Sequence, residues 1–429
     1  MKIRKWFEPR GPRYIARRGL ALAKRYGITP ARAQERILST VGELAREGCA
    51  PTLPTPGSVV DRYPRFIGHL QHLSAEIAVH SYDHVDLKSY APDDALAQLK
   101  KAVRAFERHS IDVHGFRCPY LGCTDALMDV LPNGLFRYGS NSAIRWDPGP
   151  PAENPRAVGV IETIDGLYRP RKAGDFVSAP WVRGPIVEIP VTVPDDLQLH
   201  DGWGLGPDGI VEVWRRWLDR SHRRGELFNL MFHPELAEVC RPPLVQLLRE
   251  AKRYQPAIWI GRLRDIGDWW WERSGFRSRI SDTPAGLRVS FACSARATIL
   301  VRGIGPLRMA EAWDGSWFQL RADSLDAPPV PRPFVGVASS VPGTVTSFLR
   351  DQGYILDTGE TAADCGLYLG HEKLAKLMTQ VELVDWIEGS NAPLVKYGRW
   401  PDGAKSAFCM SGDLDALSLL DYVSRLFVP

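Results

Sequence analysis

Apolar runs of strand length that each end on an acid–base or metal-ligating side chain constrain this chain most. Ile77-Ala78-Val79 delivers His80, with His84 four residues later. Leu227-Phe228-Asn229-Leu230-Met231-Phe232 delivers His233, and Ala407–Met410 is followed by Asp413 and Asp415. Short apolar runs of this kind read as buried strands. A helical turn after His80 is expected to bring both imidazoles to one face, where they can hold one metal ion.

Helical patterns alternate with the strands. Residues 30–47 place Ile37, Val41, Leu44 and Ala45 at helical spacing, with Pro30 near the start. A short extended stretch at 50–56 and a helix over 62–73 lead into the strand ending at His80. Further helices are expected over 92–109, 123–131, 210–223, 242–253, 262–273 and 417–427. Strands are expected at 113–118, 136–140, 186–193 and 257–260, and 147–185 reads as irregular. Strand–helix alternation means parallel strands with crossover helices. Polar residues repeated at strand C-termini are the mark of a β/α barrel rim. The expected fold class is therefore α/β.

After Trp271 the pattern changes. Residues 276–330 carry short alternating segments that read as a small antiparallel β module. The proline-rich stretch 328–333 reads as a linker, and 334–398 as a small α/β module. The strand–helix pattern of 1–274 returns, as one strand, two carboxylates and a helix, over 400–429.

Composition excludes several classes. Over 429 residues the net charge is only +4, which gives no case for nucleic acid. The first residues are locally basic (Lys2, Arg4, Lys5, Arg10, Arg13, Arg17, Arg18, Lys24, Arg25), a run suited to weak contact with an anionic membrane surface or to a solvated helix face. No signal peptide and no spanning segment is expected. Seven scattered cysteines do not form a disulfide framework, and a cytoplasmic setting is expected.

Taken together the motifs resemble the polysaccharide deacetylase family, the NodB-homology carbohydrate esterases. His80-Ser81-Tyr82-Asp83-His84 matches that family's ligand motif. Arg117-Cys118-Pro119-Tyr120 matches its R-x-P-Y groove motif. Leu230-Met231-Phe232-His233-Pro234 is similar to its late Leu-x-His motif, one residue longer. Gly412-Asp413-Leu414-Asp415-Ala416 is similar to the D-x-D-A form of its Asp motif. In the family the Asp motif comes first, whereas here it comes last. The resemblance therefore implies a circularly permuted, incomplete β/α barrel of NodB type. The β module and the α/β module would be inserted between the family's usual ends.

The resemblance also implies roles. His80, His84 and Asp415 hold one divalent ion, zinc being expected. Asp413 is the base and His233 the acid. Arg117 holds Asp413, and the Tyr120 N–H helps an oxyanion, with Pro119 fixing the turn. Asp195, Asp196 and Asp201 are all open as the carboxylate that orients His233. Trp146 and Trp203 are candidates to stack on a sugar ring, with core or rim packing the alternative use of each. The implied reaction removes an acetyl group from the nitrogen of an N-acetylated amino sugar in a saccharide or its precursor. A cyclic amide or ureide hydrolase on the same fold and a non-catalytic carbohydrate-binding protein are the alternatives.

Overall fold

The computed structural model describes residues 25–149, 155–305 and 309–424. The basic run from Lys2 to Lys24 and the last residues of the expected C-terminal helix lie outside them.

The chain is mixed α/β around a curled parallel sheet. Thr52–Thr55 pairs with Glu76–Val79, which pairs with Gly115–Phe116, which pairs with Tyr138–Gly139. Tyr138–Gly139 pairs in turn with Ile186–Glu188. The expected strand over 186–193 is bent at Ile189-Pro190, and its second half, Val191–Val193, pairs with Leu227–Phe232. Leu227–Phe232 pairs along its whole length with Ser406–Gly412, and Ser411 of that strand meets Thr52. The sheet thus curls round, and its two halves are joined at the bend through the chain and not by strand pairing. The short strand Ile258–Ile260 fills the gap beside the start of Ser406–Gly412. Every residue of the strand Ser406–Gly412 is buried.

Because these pairings are all parallel, the strands' C-terminal ends share one rim. The helices cover the outside for ordinary reasons. Ala31–Arg46 buries Ala33, Ile37, Val41 and Leu44, a stripe at three- and four-residue intervals. Pro92–Arg108 has Pro at its first turn, Asp93 and Asp94 beside the positive helix end, and Leu96, Leu99, Val103 and Phe106 inward.

The region expected to be irregular contains a helix, Pro155–Tyr168. Val160, Ile161, Ile164, Leu167 and Tyr168 form its less exposed stripe. Flanking prolines and two internal glycines, Gly159 and Gly166, mask that period in the sequence.

Beyond residue 276 lie three smaller sheets. Arg277–Thr283, Gly286–Ala292 and Ser324–Ala327 form an antiparallel sheet. Ile299–Arg302, Ala310–Asp314 and Trp317–Leu320 form another, completed by Leu394–Tyr397 from the far end of the α/β stretch. Arg332–Val337 pairs in parallel with Leu356–Asp357 and with Cys365–Leu369. The later part of the α/β stretch holds two helices, His371–Leu374 and Gln380–Glu388. All seven cysteines are free. Among the described residues no helix is long and apolar enough to cross a membrane.

Candidate active site

The rim gathers residues from the strand ends. His80 follows Glu76–Val79, Arg117 follows Gly115–Phe116, His233 follows Leu227–Phe232, and Asp413 follows Ser406–Gly412. Gly412 permits the last of these. A Cβ there would meet Pro234 Cγ at 2.9 Å and Phe232 Cζ at 3.0 Å, so the chain can pass the His233 turn this closely only without a side chain. Beyond it, the Leu414 N–H donates to the Pro54 carbonyl at 2.8 Å, fixing the loop between the two carboxylates.

The turn after His80 is not helical. Ser81 and His84 both take left-handed backbone conformations, with φ of 57° and 54°. The His84 N–H donates to Ser81 Oγ at 3.0 Å. This bend brings the two imidazoles to a centroid separation of 4.9 Å. Tyr120 and Leu121 are likewise left-handed, at φ 57° and 54°. Non-glycine residues hold such conformations only where their surroundings over-determine them, and they cluster at functional sites.

His84 Nε2 lies 2.9 Å from Asp415 Oδ1, and His80 Nε2 lies 3.6 Å from the same oxygen. His80 Nδ1 is 2.7 Å from the Arg117 carbonyl oxygen. That contact assigns the ring proton to Nδ1 and turns the Nε2 lone pair toward the carboxylates. The ligand atoms of His80, His84 and Asp415 lie within 4.8 Å of one another. Two imidazole nitrogens and a carboxylate oxygen make a donor set suited to a divalent cation.

Arg117 is wholly buried. Its Nη1 donates to Asp413 Oδ1 at 2.7 Å, and its Nη2 donates to Ser140 Oγ at 3.0 Å and Ser411 Oγ at 2.8 Å. Ser411 Oγ donates in turn to Asn229 Oδ1 at 2.9 Å. Asp413 Oδ2, the oxygen without the arginine, is 3.8 Å from His80 Nε2. Pro119 is buried, and Tyr120 is 39% exposed with its ring edge-on to His84 at 5.3 Å.

His233 contacts the carboxylate that the sequence left open. Asp196 Oδ1 is 2.7 Å from His233 Nδ1, and Asp196 Oδ2 accepts from the His233 N–H at 2.8 Å. Burial works against the imidazolium, but Asp196 outweighs it and lifts His233 to about 10. Asp196 is held below its ordinary value: burial raises it, and the charge and hydrogen bonds of His233 more than reverse this. Asp195, Asp196 and His233 also gather ligand-type atoms. In that group the imidazole and carboxylate are already spent on each other, so it reads as an acid–base pair. Asp201 is not part of it; its recorded ion contact is with His200 at 4.0 Å.

Two residues that no motif marks adjoin both halves of the site. Arg25 is paired with Glu235, and its charge bears on Asp415, Asp195 and Asp196. Tyr168, at the end of the helix hidden in the sequence, feels Asp195, Asp413 and Asp415. Trp146 is corrected as a sugar-stacking candidate. It is completely buried, among Trp214, Trp217 and Phe228, and presents no face to a ligand. Trp203 is half-buried against the apolar group that also supports Tyr168.

Residues 35–134, which include both the His80–His84 turn and the Arg117–Tyr120 turn, match the family profile described as polysaccharide deacetylase. The chain carries a match to the polysaccharide deacetylase domain over these residues. Its sheet is the curled parallel half-barrel that such a domain implies. No curated protein sequence matches the chain. Solved structures similar to this chain include a Mycobacterium smegmatis protein assigned to the polysaccharide deacetylases, at 21% identity and TM-score 0.42, covering 56% of this chain and 77% of that one. PuuE allantoinase is similar at 17% identity and TM-score 0.41, covering 56% and 72%. A family 4 carbohydrate esterase from Streptomyces lividans in complex with acetate is similar at 13% identity and TM-score 0.29, covering 51% and 82%.

Proposed function

We propose that this deacetylase-family chain is a metal-dependent hydrolase that removes an acetyl group from the nitrogen of an N-acetylated amino sugar, in a saccharide or saccharide precursor. The observation that carries the reading is the meeting of His80 and His84, which lie within the family-matched residues 35–134, with Asp413 and Asp415 at one rim. His80, His84 and Asp415 would hold one divalent ion, with zinc favoured by the nitrogen-rich donor set. Bound there, the ion supplies Lewis acidity toward a water and toward the acyl oxygen.

The chain's own residues supply the proton traffic. Asp413 takes a proton from the attacking water on its free oxygen, while Arg117 fixes the other. His233, carried as imidazolium by Asp196, gives a proton to the departing nitrogen. The Tyr120 N–H assists the oxyanion, on a turn set by Pro119. Trp203 flanks the saccharide. The amide C–N bond breaks, water adds across it, and acetate and a free amine result.

The order of elements supports a circular permutation. The strand carrying the Asp motif is last in the chain yet lies between Leu227–Phe232 and Thr52–Thr55. The described ends also meet: Tyr26 stacks on Tyr422 at 5.7 Å, and the Leu419 N–H donates to the Gly27 carbonyl at 2.9 Å. Residues 1–274 and 400–429 would then form one barrel unit, with 276–330 and 334–398 inserted between its usual ends.

Incubation of the purified, zinc-supplemented protein with N-acetylated saccharides should release acetate. Ring opening of cyclic amides or ureides without acetate release would overturn the sugar reading.

A further inference from the structure

Tyr168 belongs to none of the motifs. It ends the helix Pro155–Tyr168, which packs against both the Pro119–Leu121 turn and the Gln198–Gly202 turn. Its ring rests on the apolar group that contains Leu121, Val193 and Met231. Leu121 follows Tyr120, Val193 stands two residues before Asp195, and Met231 stands two before His233. The ring is thus seated on the strand ends that present the site. Arg169, the next residue, takes φ 47°. A non-glycine residue keeps that conformation only where its surroundings fix it, so the helix stops at Tyr168 in a defined way.

The hydroxyl is also fixed. Gln198 Nε2 donates to the Tyr168 oxygen at 3.4 Å. Gln198 is held by Asp195, through its backbone N–H to Oδ1 at 2.7 Å and through Oε1 from the Asp195 N–H at 2.9 Å. Gln198 therefore occupies an acceptor position on the phenol and leaves the O–H proton unspent. Among the described residues no acceptor takes it. Burial raises the phenol well above its ordinary value, and Asp195, Asp413 and Asp415 add to the effect, so the group stays a donor at any working pH. A phenol with a proton to give, seated on the strand ends that lead to Asp195 and His233 and against the Tyr120 turn, is suited to an oxygen that arrives with the substrate.

We propose that Tyr168 contacts the substrate as a hydrogen-bond donor to the acyl oxygen, positioning the acyl group between Asp413 and His233. This rests on the deacetylase reading above. Tyr168→Phe removes only the hydroxyl and keeps the ring's packing, so its melting curve should overlay that of the unaltered protein. Its kcat/KM for acetate release should fall about 10²- to 10³-fold, the range for loss of one donor to a developing oxyanion. Acetate binding to the zinc-loaded protein, read by calorimetry, needs no turnover and should weaken about three- to tenfold. If the unaltered protein releases acetate and the variant matches it in rate and in acetate affinity, the Tyr168 assignment is wrong and the deacetylase reading stands. If no N-acetylated saccharide is cleaved, that reading falls. Calorimetry then decides for Tyr168 alone, and equal affinities, or no acetate binding by the unaltered protein, overturn it.

Discussion

Arg117 Nη1 donates to Asp413 Oδ1 at 2.7 Å across 296 residues of chain. The arginine has no exposed surface and is held by Ser140 and Ser411 as well. A buried guanidinium needs a partner, and among the described residues Asp413 is the acid that pairs with it. The pair therefore fixes one oxygen of Asp413 and leaves the other toward His80.

Asp413→Asn keeps the side chain's shape and an oxygen acceptor for Arg117, so fold and metal content should survive. Acetate release should fall roughly 10²- to 10⁴-fold, as expected on removing a general base. Rate measurements on protein of verified metal content check this. Near-normal turnover would move the base to another carboxylate.

His80→Ala with His84→Ala should leave near-empty protein by elemental analysis after dialysis against zinc. The site would retain only Asp415 of the group His80, His84 and Asp415. Unchanged occupancy would sink the ligand assignment, because one carboxylate does not hold a divalent ion in competition with water.

The Asp196–His233 pair predicts a pH signature in metal-free protein. His233 stands at about 10 when folded, above its ordinary 6.5, so its share of stability is complete below 6.5 and is lost as pH rises through about 10. Asp196 is depressed, so its share is present above 3.8 and is lost as pH falls through its folded value. Asp196→Asn should destabilise by up to about 3–5 kcal/mol near pH 5–6. Urea melts should show the gap closing between pH 6.5 and about 10. A gap constant over that window would mean that the charge pair contributes nothing to folding.

The strand ends were legible because an apolar run closing on His or Asp needs only local sequence. The strand at 406–412, the helices at 31–46 and 92–108, and the Arg117 turn follow from period and punctuation alone. The partner of His233 was not legible. Asp195, Asp196 and Asp201 are equivalent in sequence, and only the packing of the strand ending at Val193 beside Leu227–Phe232 selects Asp196. The turn after His80 misled because left-handed Ser81 and His84 carry no glycine signal. Trp146 misled because residue type does not say which side of a short strand faces inward; here Phe228 and Trp217 cover it.

The last prediction concerns the order of the chain. Ser406–Gly412 is buried throughout and pairs with Leu227–Phe232 over six residues, from Ala407 to Gly412. Deleting 400–429 should therefore remove a central strand together with Asp415 and Asp413, the proposed metal ligand and base. It should also leave two open sheet edges, and an insoluble product is expected. Moving 400–429 ahead of Lys2 is a different operation. Leu419 bonds to Gly27 and Tyr422 stacks on Tyr26, so the segment's end already lies beside the start of the described chain. A short flexible linker should bridge the new junction at a cost of little more than loop closure. The rearranged protein should be soluble, bind one equivalent of zinc, and release acetate at a rate within about tenfold of the original. Size-exclusion chromatography and elemental analysis check the first two. If the rearranged chain folds no better than the deletion, the two ends are not interchangeable and the permuted reading fails.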